Sequence, residues 1–314
     1  MTAPSLLDRR LLFVTGKGGV GKTSVATALA VLAAGQGKRT LLCEVDAKGD
    51  LAQVLETDPL RFVEREVLPN LHAMTMDTEA SLREYLQLQL HMPSWTRLGP
   101  LARTFDFVAT AAPGVREILT IGKLAYEVRE RHFDIVIVDS PATGHVVGQL
   151  AAPEAIRDVV RLGAVRSQVD WILELLQDPA ITGAVIVTTP EEMPVAETVE
   201  LVERLDAETQ VDLAAVVVNH VLPELFGSRE EAVFDEIRAD DRLSRLVGSG
   251  AIAVLDGAEL AVARRRARTS HLDRLRTSLP ARVPLVYLPE LFIRQHGVRA
   301  TRQLADALEA EIGQ

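Results

Sequence analysis

The sequence predicts a doubly wound α/β domain, a mostly parallel sheet into which a helical subdomain is inserted, and three observations carry that expectation. Short apolar runs recur at residues 11–14, 40–43, 135–138, 184–187, 215–218 and 285–287. They are continuous rather than alternating, as strands covered by helices on both faces must be. Longer stretches of helical periodicity separate them, the alternation a parallel sheet requires. Third, residues from about 78 to 131 carry no strand signal, while Leu82, Leu86, Leu90, Leu98, Leu101, Ile118, Leu119 and Leu124 recur at helical spacing.

Taken in order, the first run leads through Gly16 to Ser24 into an Ala-rich helical segment over 25–34, and the second ends at Glu44-Val45-Asp46. A weaker strand candidate, 71–76, follows Pro69-Asn70. The helical insertion is interrupted at Pro93, Pro100 and Pro113-Gly114. A further helical stretch is expected from Pro153 to about Gln177, with more helices over 194–205, 230–246, 258–275 and 298–312. No repeat or low-complexity linker divides the chain, so residues 1–314 read as a single domain with helical decoration.

Composition narrows the function. Lys plus Arg number 34 against 44 Asp plus Glu, a net charge of −10, so binding to nucleic acid or to an anionic membrane has no global electrostatic support. One cysteine, Cys43, excludes an internal disulfide, and the start Met1-Thr2-Ala3-Pro4-Ser5 has no signal-peptide core. No apolar run reaches the roughly 18 residues of a membrane span. A cytoplasmic protein is expected.

The run Gly16-Lys17-Gly18-Gly19-Val20-Gly21-Lys22-Thr23-Ser24 stands between a strand and a helix, the context a P-loop needs. Its glycines let backbone N–H groups turn around a phosphate, the helix N-terminus adds its dipole, Lys22 reaches the β- and γ-phosphates, and Thr23 can ligate Mg2+. At the end of the second strand Asp46 could orient an attacking water, or cap a helix. Asp139 closes the apolar run 135–138, placed to hold Mg2+ through water, and Gly144 and His145 follow as a switch that could sense the γ-phosphate. The additional Lys17 resembles the signature lysine of the deviant-Walker ATPases. That resemblance implies a dimer in which Lys17 acts on the partner's nucleotide.

With Lys17, Asp46 and the segment from Asp139 to His145 in order, the sequence resembles the ArsA family of arsenite-pump, tail-anchored-protein targeting and anion-transporting ATPases. The likeness extends through Asn70 to Ala80, Pro113-Gly114 before Glu117, Glu191 with Glu197-Thr198, and Val216-Val217-Val218-Asn219. It implies ATP with Mg2+, Asp46 activating water, Lys17 and Lys22 completing catalysis, and Glu191 and Asn219 approaching the nucleoside. Adenine over guanine rests on this resemblance, since Asn219 is followed by His220-Val221-Leu222 in place of a guanine-binding N-K-x-D. The first switch departs from the family's Asp-Pro-Ala-His-Asn, reading Asp46-Ala47-Lys48-Gly49-Asp50. A lone cysteine cannot build a metalloid or zinc site, and the histidines show no paired ligand spacing, so neither metal is expected.

Met92, Trp95, Leu98, Leu101, Phe105 and Phe107 form an apolar stripe that reads either as a ligand groove or as the subdomain's own core. The basic run Arg264-Arg265-Arg266, with Arg268, Arg274 and Arg276, lacks interleaved aromatics and reads as a solvated helix face rather than a nucleic-acid site. The expected function is an Mg2+-dependent dimeric ATPase, homomeric or paired with a paralogue, whose nucleotide state controls binding of a protein or small-molecule partner. The alternatives are a positioning ATPase of the partition class and a non-catalytic nucleotide-gated subunit.

Overall fold

The computed structural model describes residues 5–46, 48–90, 114–160, 162–224, 227–239, 242, 249–292 and 297–313. Strands β1 (Leu11–Gly16), β2 (Thr40–Glu44), β3 (Arg65–Leu68), β4 (Leu71–Thr75), β5 (Ile135–Asp139), β6 (Thr182–Thr188), β7 (Leu213–Val221) and β8 (Leu285–Pro289) form one sheet in the order β3-β4-β2-β5-β1-β6-β7-β8. Every pair is parallel except β3 with β4. Each expected strand is present. β3 is an addition: a short, largely exposed edge strand reading Arg-Glu-Val-Leu, too polar and too short to register as a buried run.

The continuity of the apolar runs has a direct structural cause. Leu11 and Phe13 of β1 face one side with Val136 and Val138 of β5, while Leu12 and Val14 face the other with Ile135 and Ile137. On the first face lie α4 (Val115–Arg129), α5 (Thr143–Val159), α6 (Ala164–Gln177) and α7 (Glu192–Glu208), through residues such as Leu124, Val147, Ile172 and Leu201. On the second lie α1 (Lys22–Gly35), α2 (Asp50–Val54) and α10 (Val298–Ile312), through Leu29, Leu51 and Leu308. Helices α3 (Thr78–Leu90), α8 (Ser228–Ala239) and α9 (Ser249–Ser278) complete the described elements.

The helical insertion is represented by α3 and α4; Pro93, Pro100, Pro113 and the stripe from Met92 to Phe107 lie outside the described residues. The helical stretch expected from Pro153 begins earlier, at Thr143, and α5 runs straight through the proline. Pro153 and its neighbours Leu150 and Ala152 are buried, so packing offsets the hydrogen bond the ring removes. The break comes instead before α6, at Gly163, whose φ of 99° is a left-handed conformation that favours glycine.

At the amino ends of the central strands, Arg9 ties β1, β6 and β7 together. It is 3% exposed, donates to the Thr182 carbonyl at 2.8 Å and pairs with Asp212 at 2.7 Å. Gly183 leaves room for it, since a Cβ there would stand 2.9 Å from the guanidinium. Replacing Arg9 by Leu removes the buried partner of Asp212 and leaves that carboxylate only the exposed Arg282, so a loss of about 2 kcal/mol is expected, seen as a fall of roughly 4–8 °C in a thermal melt. The exposed Arg282, which also pairs with Asp212 at 3.2 Å, should tolerate the same change within about 0.5 kcal/mol.

Candidate functional site

The loops that follow β1 and β5 leave the sheet toward opposite faces, because α1 packs on one face and α5 on the other. A crevice therefore opens at the carboxyl ends of these strands, the place where nucleotides bind in doubly wound sheets. Residues 16–23 lie in it, from the end of β1 into the start of α1. Gly16 (φ 147°), Gly19 (φ 88°) and Gly21 (φ 90°) carry the turn, and Gly18 and Gly19 are exposed at its mouth. Gly21 has a second constraint: a Cβ would meet the Asn219 amide nitrogen at 2.4 Å.

Thr23 Oγ1 at the start of α1 donates to Asp139 Oδ2 at 2.7 Å. Asp139 ends β5 and is 7% exposed, and its Oδ1 is buried without a hydrogen-bond partner. Burial raises its carboxyl to about 6, against the opposing pull of the Thr23 hydroxyl and the Lys22 ammonium. A desolvated carboxylate with one free oxygen beside a threonine hydroxyl is a donor set that fits Mg2+. Among the described residues no group of three or more His, Cys, Asp or Glu forms a metal cluster. Lys22, whose ammonium is lowered first by burial, donates to the Lys17 carbonyl at 3.3 Å.

Asp46 lies beyond β2, partly exposed and 3.5 Å from Lys48. Gly144 and His145 form the exposed first turn of α5. Asp46 and His145 line one small cavity of about 160 Å3 together with Arg116, Glu117, Thr120 and Gln149. Gln149 is buried and its Oε1 has no partner. Beneath Asp46, the buried Glu44 accepts from the Asp50 amide at 3.0 Å and from Thr75 Oγ1 at 3.2 Å, fixing the turn into α2.

Asn219 lies within β7 near its carboxyl end, and Glu191 lies just beyond β6. Asn219 is buried and donates to the Val20 carbonyl at 2.9 Å, bracing the P-loop from behind. Glu191 precedes α7 and is held by Arg268 at 3.4 Å. Arg268 also donates to the His220 carbonyl at 3.1 Å and pairs with Glu290 at 3.0 Å. One member of the basic run is thus a brace between three strand ends rather than a solvated charge. Lys17 turns away from Lys22 and pairs with Glu197 on α7 at 2.6 Å. Gln149 and Arg116 were not expected from the sequence at this site and no local signal marks them, while Glu197 stood only in the family likeness and Arg268 only in the basic run.

A glycine cradle between strand and helix, with a threonine and a strand-end aspartate in contact beside it, defines a nucleoside triphosphatase of the P-loop class. The model of the ArsA-type anion-transporting ATPase family matches residues 9–173 and 159–240. The chain belongs to that family and is an ATPase. ATPase BagA of Mycobacterium tuberculosis is 31% identical over 254 residues, covering 77% of this chain and 74% of that protein. ATPase GET3 of Podospora anserina is 25% identical over 260 residues, covering 70% and 76%, and ATPase get3 of Schizosaccharomyces japonicus is 26% identical over 261 residues, covering 70% and 78%.

The bond from Asn219 to Val20 makes a separable expectation. Asn219→Ala leaves a buried carbonyl unpaired, at a cost of about 1–3 kcal/mol, and should both lower the melting temperature and weaken ATP binding in calorimetry. Glu191→Ala, at a largely exposed site, should leave the melt within about 0.5 kcal/mol.

Proposed function

We propose that this ATPase is an Mg2+-dependent dimeric switch, cytoplasmic, in which the nucleotide state sets the shape of a helical subdomain that binds a protein or small-molecule partner. One observation carries the reading: α4 lines two cavities at once. Arg116, Glu117 and Thr120 face the small cavity shared with Asp46 and His145. Ile118, Leu119, Gly122 and Tyr126, on another side of the same helix, face an apolar cavity of about 580 Å3 completed by Leu82 and Ile172. Residues at i, i+1 and i+4 along one helix touch the switches while a row at i, i+1, i+4 and i+8 touches the ligand space, so a shift of α4 is felt on both sides. The volume lies in the range of small-molecule sites. No described helix is long and apolar enough to cross a membrane.

In this mechanism the P-loop amides and Lys22 bind the phosphates, and Glu191 and Asn219 border the nucleoside. Thr23 Oγ1 and Asp139 Oδ1 are the groups that would hold Mg2+, which supplies charge neutralisation at the transferring phosphoryl group. Asp46 orients the water, Gly144 and His145 register the γ-phosphate, and Lys17 acts on the partner's nucleotide. Lys22→Ala should abolish Mg-ATP binding in calorimetry; unchanged affinity contradicts the assignment. Asp46→Asn should retain binding and reduce kcat by about 10²-fold or more. Lys17→Ala mixed with Lys22→Ala should regain phosphate release, since the mixed dimer holds one complete site. A mixture as inactive as either variant, with mixed dimers demonstrated by mass, removes the action between subunits.

Metalloid is not part of this proposal. Cys43 is fully buried in β2, and burial pushes its thiol far above the ordinary range, so no thiolate is offered to a soft ion. Arsenite should leave the rate of phosphate release unchanged, and stimulation would refute this.

A further inference from the structure

The P-loop divides its two lysines. Lys22 remains among Asp139, Asp46 and Asp50, on the β5 side of β1. Lys17 is one residue past β1, yet its ammonium leaves toward β6 and meets the Glu197 carboxylate of α7 at 2.6 Å. Both side chains are about 30% exposed, at 29% and 32%. The backbone of Lys17 meanwhile stays in the cradle, where its carbonyl accepts from Lys22. The side chain is therefore held aside while the main chain is already in place for phosphate.

We propose that Glu197 is a positioning residue for Lys17: it draws the ammonium toward α7 and off the phosphate cradle, and ATP must compete with this carboxylate before Lys17 can act. The proposal rests on the reading of Lys17 as a phosphate-directed lysine, in its own site or in a partner's. A pair about one-third exposed is worth about 1 kcal/mol or less, so it biases the lysine without locking it. The triphosphate offers several negative charges against one, and the exchange replaces one ion pair with a stronger one. Glu197 sits on the helix whose first turn follows Glu191, so the two carboxylates that flank the nucleotide mouth share one rigid element.

The test follows ATP dependence of phosphate release in the wild type, Glu197→Gln, Glu197→Asp and Lys17→Ala/Glu197→Gln proteins. Glu197→Gln keeps the shape and removes the charge, so KM for ATP should fall roughly two- to five-fold, the scale of one partly exposed pair, with kcat unchanged. Glu197→Asp, which keeps the charge, should restore a KM nearer the wild type. In the Lys17→Ala background, Glu197→Gln should change ATP affinity by less than its effect in the wild type, measured by calorimetry with a non-hydrolysable ATP analogue. A KM unchanged by Glu197→Gln overturns the proposal, as does a fall in kcat at constant KM, which would make Glu197 a support for the productive lysine. An equal effect with Lys17 removed also overturns it. Phosphate release absent from the wild type would instead count against hydrolysis by the lone chain, and the calorimetric comparison would still decide the role of Glu197.

Discussion

The close approach of two backbones at the end of β1 is the constraint on which the site depends. Gly16 is registered with Val187 of β6, and a Cβ on it would stand 2.1 Å from the Val187 carbonyl oxygen. Only a residue without a side chain lets the central strand stay paired to its last residue and then turn at once, at a φ of 147°. The turn sets the start of α1, and with it the Thr23 hydroxyl on Asp139 and the Val20 carbonyl on Asn219. A looser exit from β1 would displace every one of these contacts, which reach β5 on one side and β7 on the other.

How far the sequence revealed this depends on the range of the interaction. The buried strands were legible because each is apolar on both faces, and the cradle because its glycines, lysine and threonine are consecutive. Their chemistry is local, so their order along the chain is sufficient. β3 escaped because an exposed edge strand has only one neighbour and no buried run, and α5 was expected to start too late because a proline was read as a boundary when packing had absorbed it. The brace from Arg268 to His220 spans 48 residues and the pair of Lys17 with Glu197 spans 180, and only the folded sheet brings such partners together. A run of arginines on a long helix has the same sequence whether it faces water or a strand end.

Coupling between nucleotide and partner has to be a difference in free energy between two arrangements, since a ligand that binds both equally shifts neither. The geometry around α4 offers a place for such a difference. Its buried Lys123 pairs with Glu127 at 2.6 Å on its own helix and with Glu84 of α3 at 2.8 Å. α3 and α4 are thereby tied by charge beside the apolar cavity, while the unpartnered Gln149 oxygen faces the opposite surface of α4 from α5. A tied pair of helices moves as a unit. An unsatisfied buried acceptor beside Asp46 and His145 is a group whose energy falls if a small displacement brings it a donor, and that is the kind of local gain a second conformation can use.

The two prominent ion pairs near β1 show how burial decides what a charge is for. Arg9 with Asp212 lies at the amino end of the strand, where the arginine is almost wholly enclosed. Separating it would leave a desolvated charge, so it stays closed throughout the life of the fold. Lys17 with Glu197 lies at the carboxyl end, shorter by 0.1 Å but wetted on both sides. Water can solvate either partner when the pair opens, and the cost of opening is correspondingly small. Distance alone would rank the second pair as the stronger. Solvent reverses the order, and so the end of the strand that anchors the sheet carries the enclosed pair while the end that carries the glycine loop has the pair that opens at small cost.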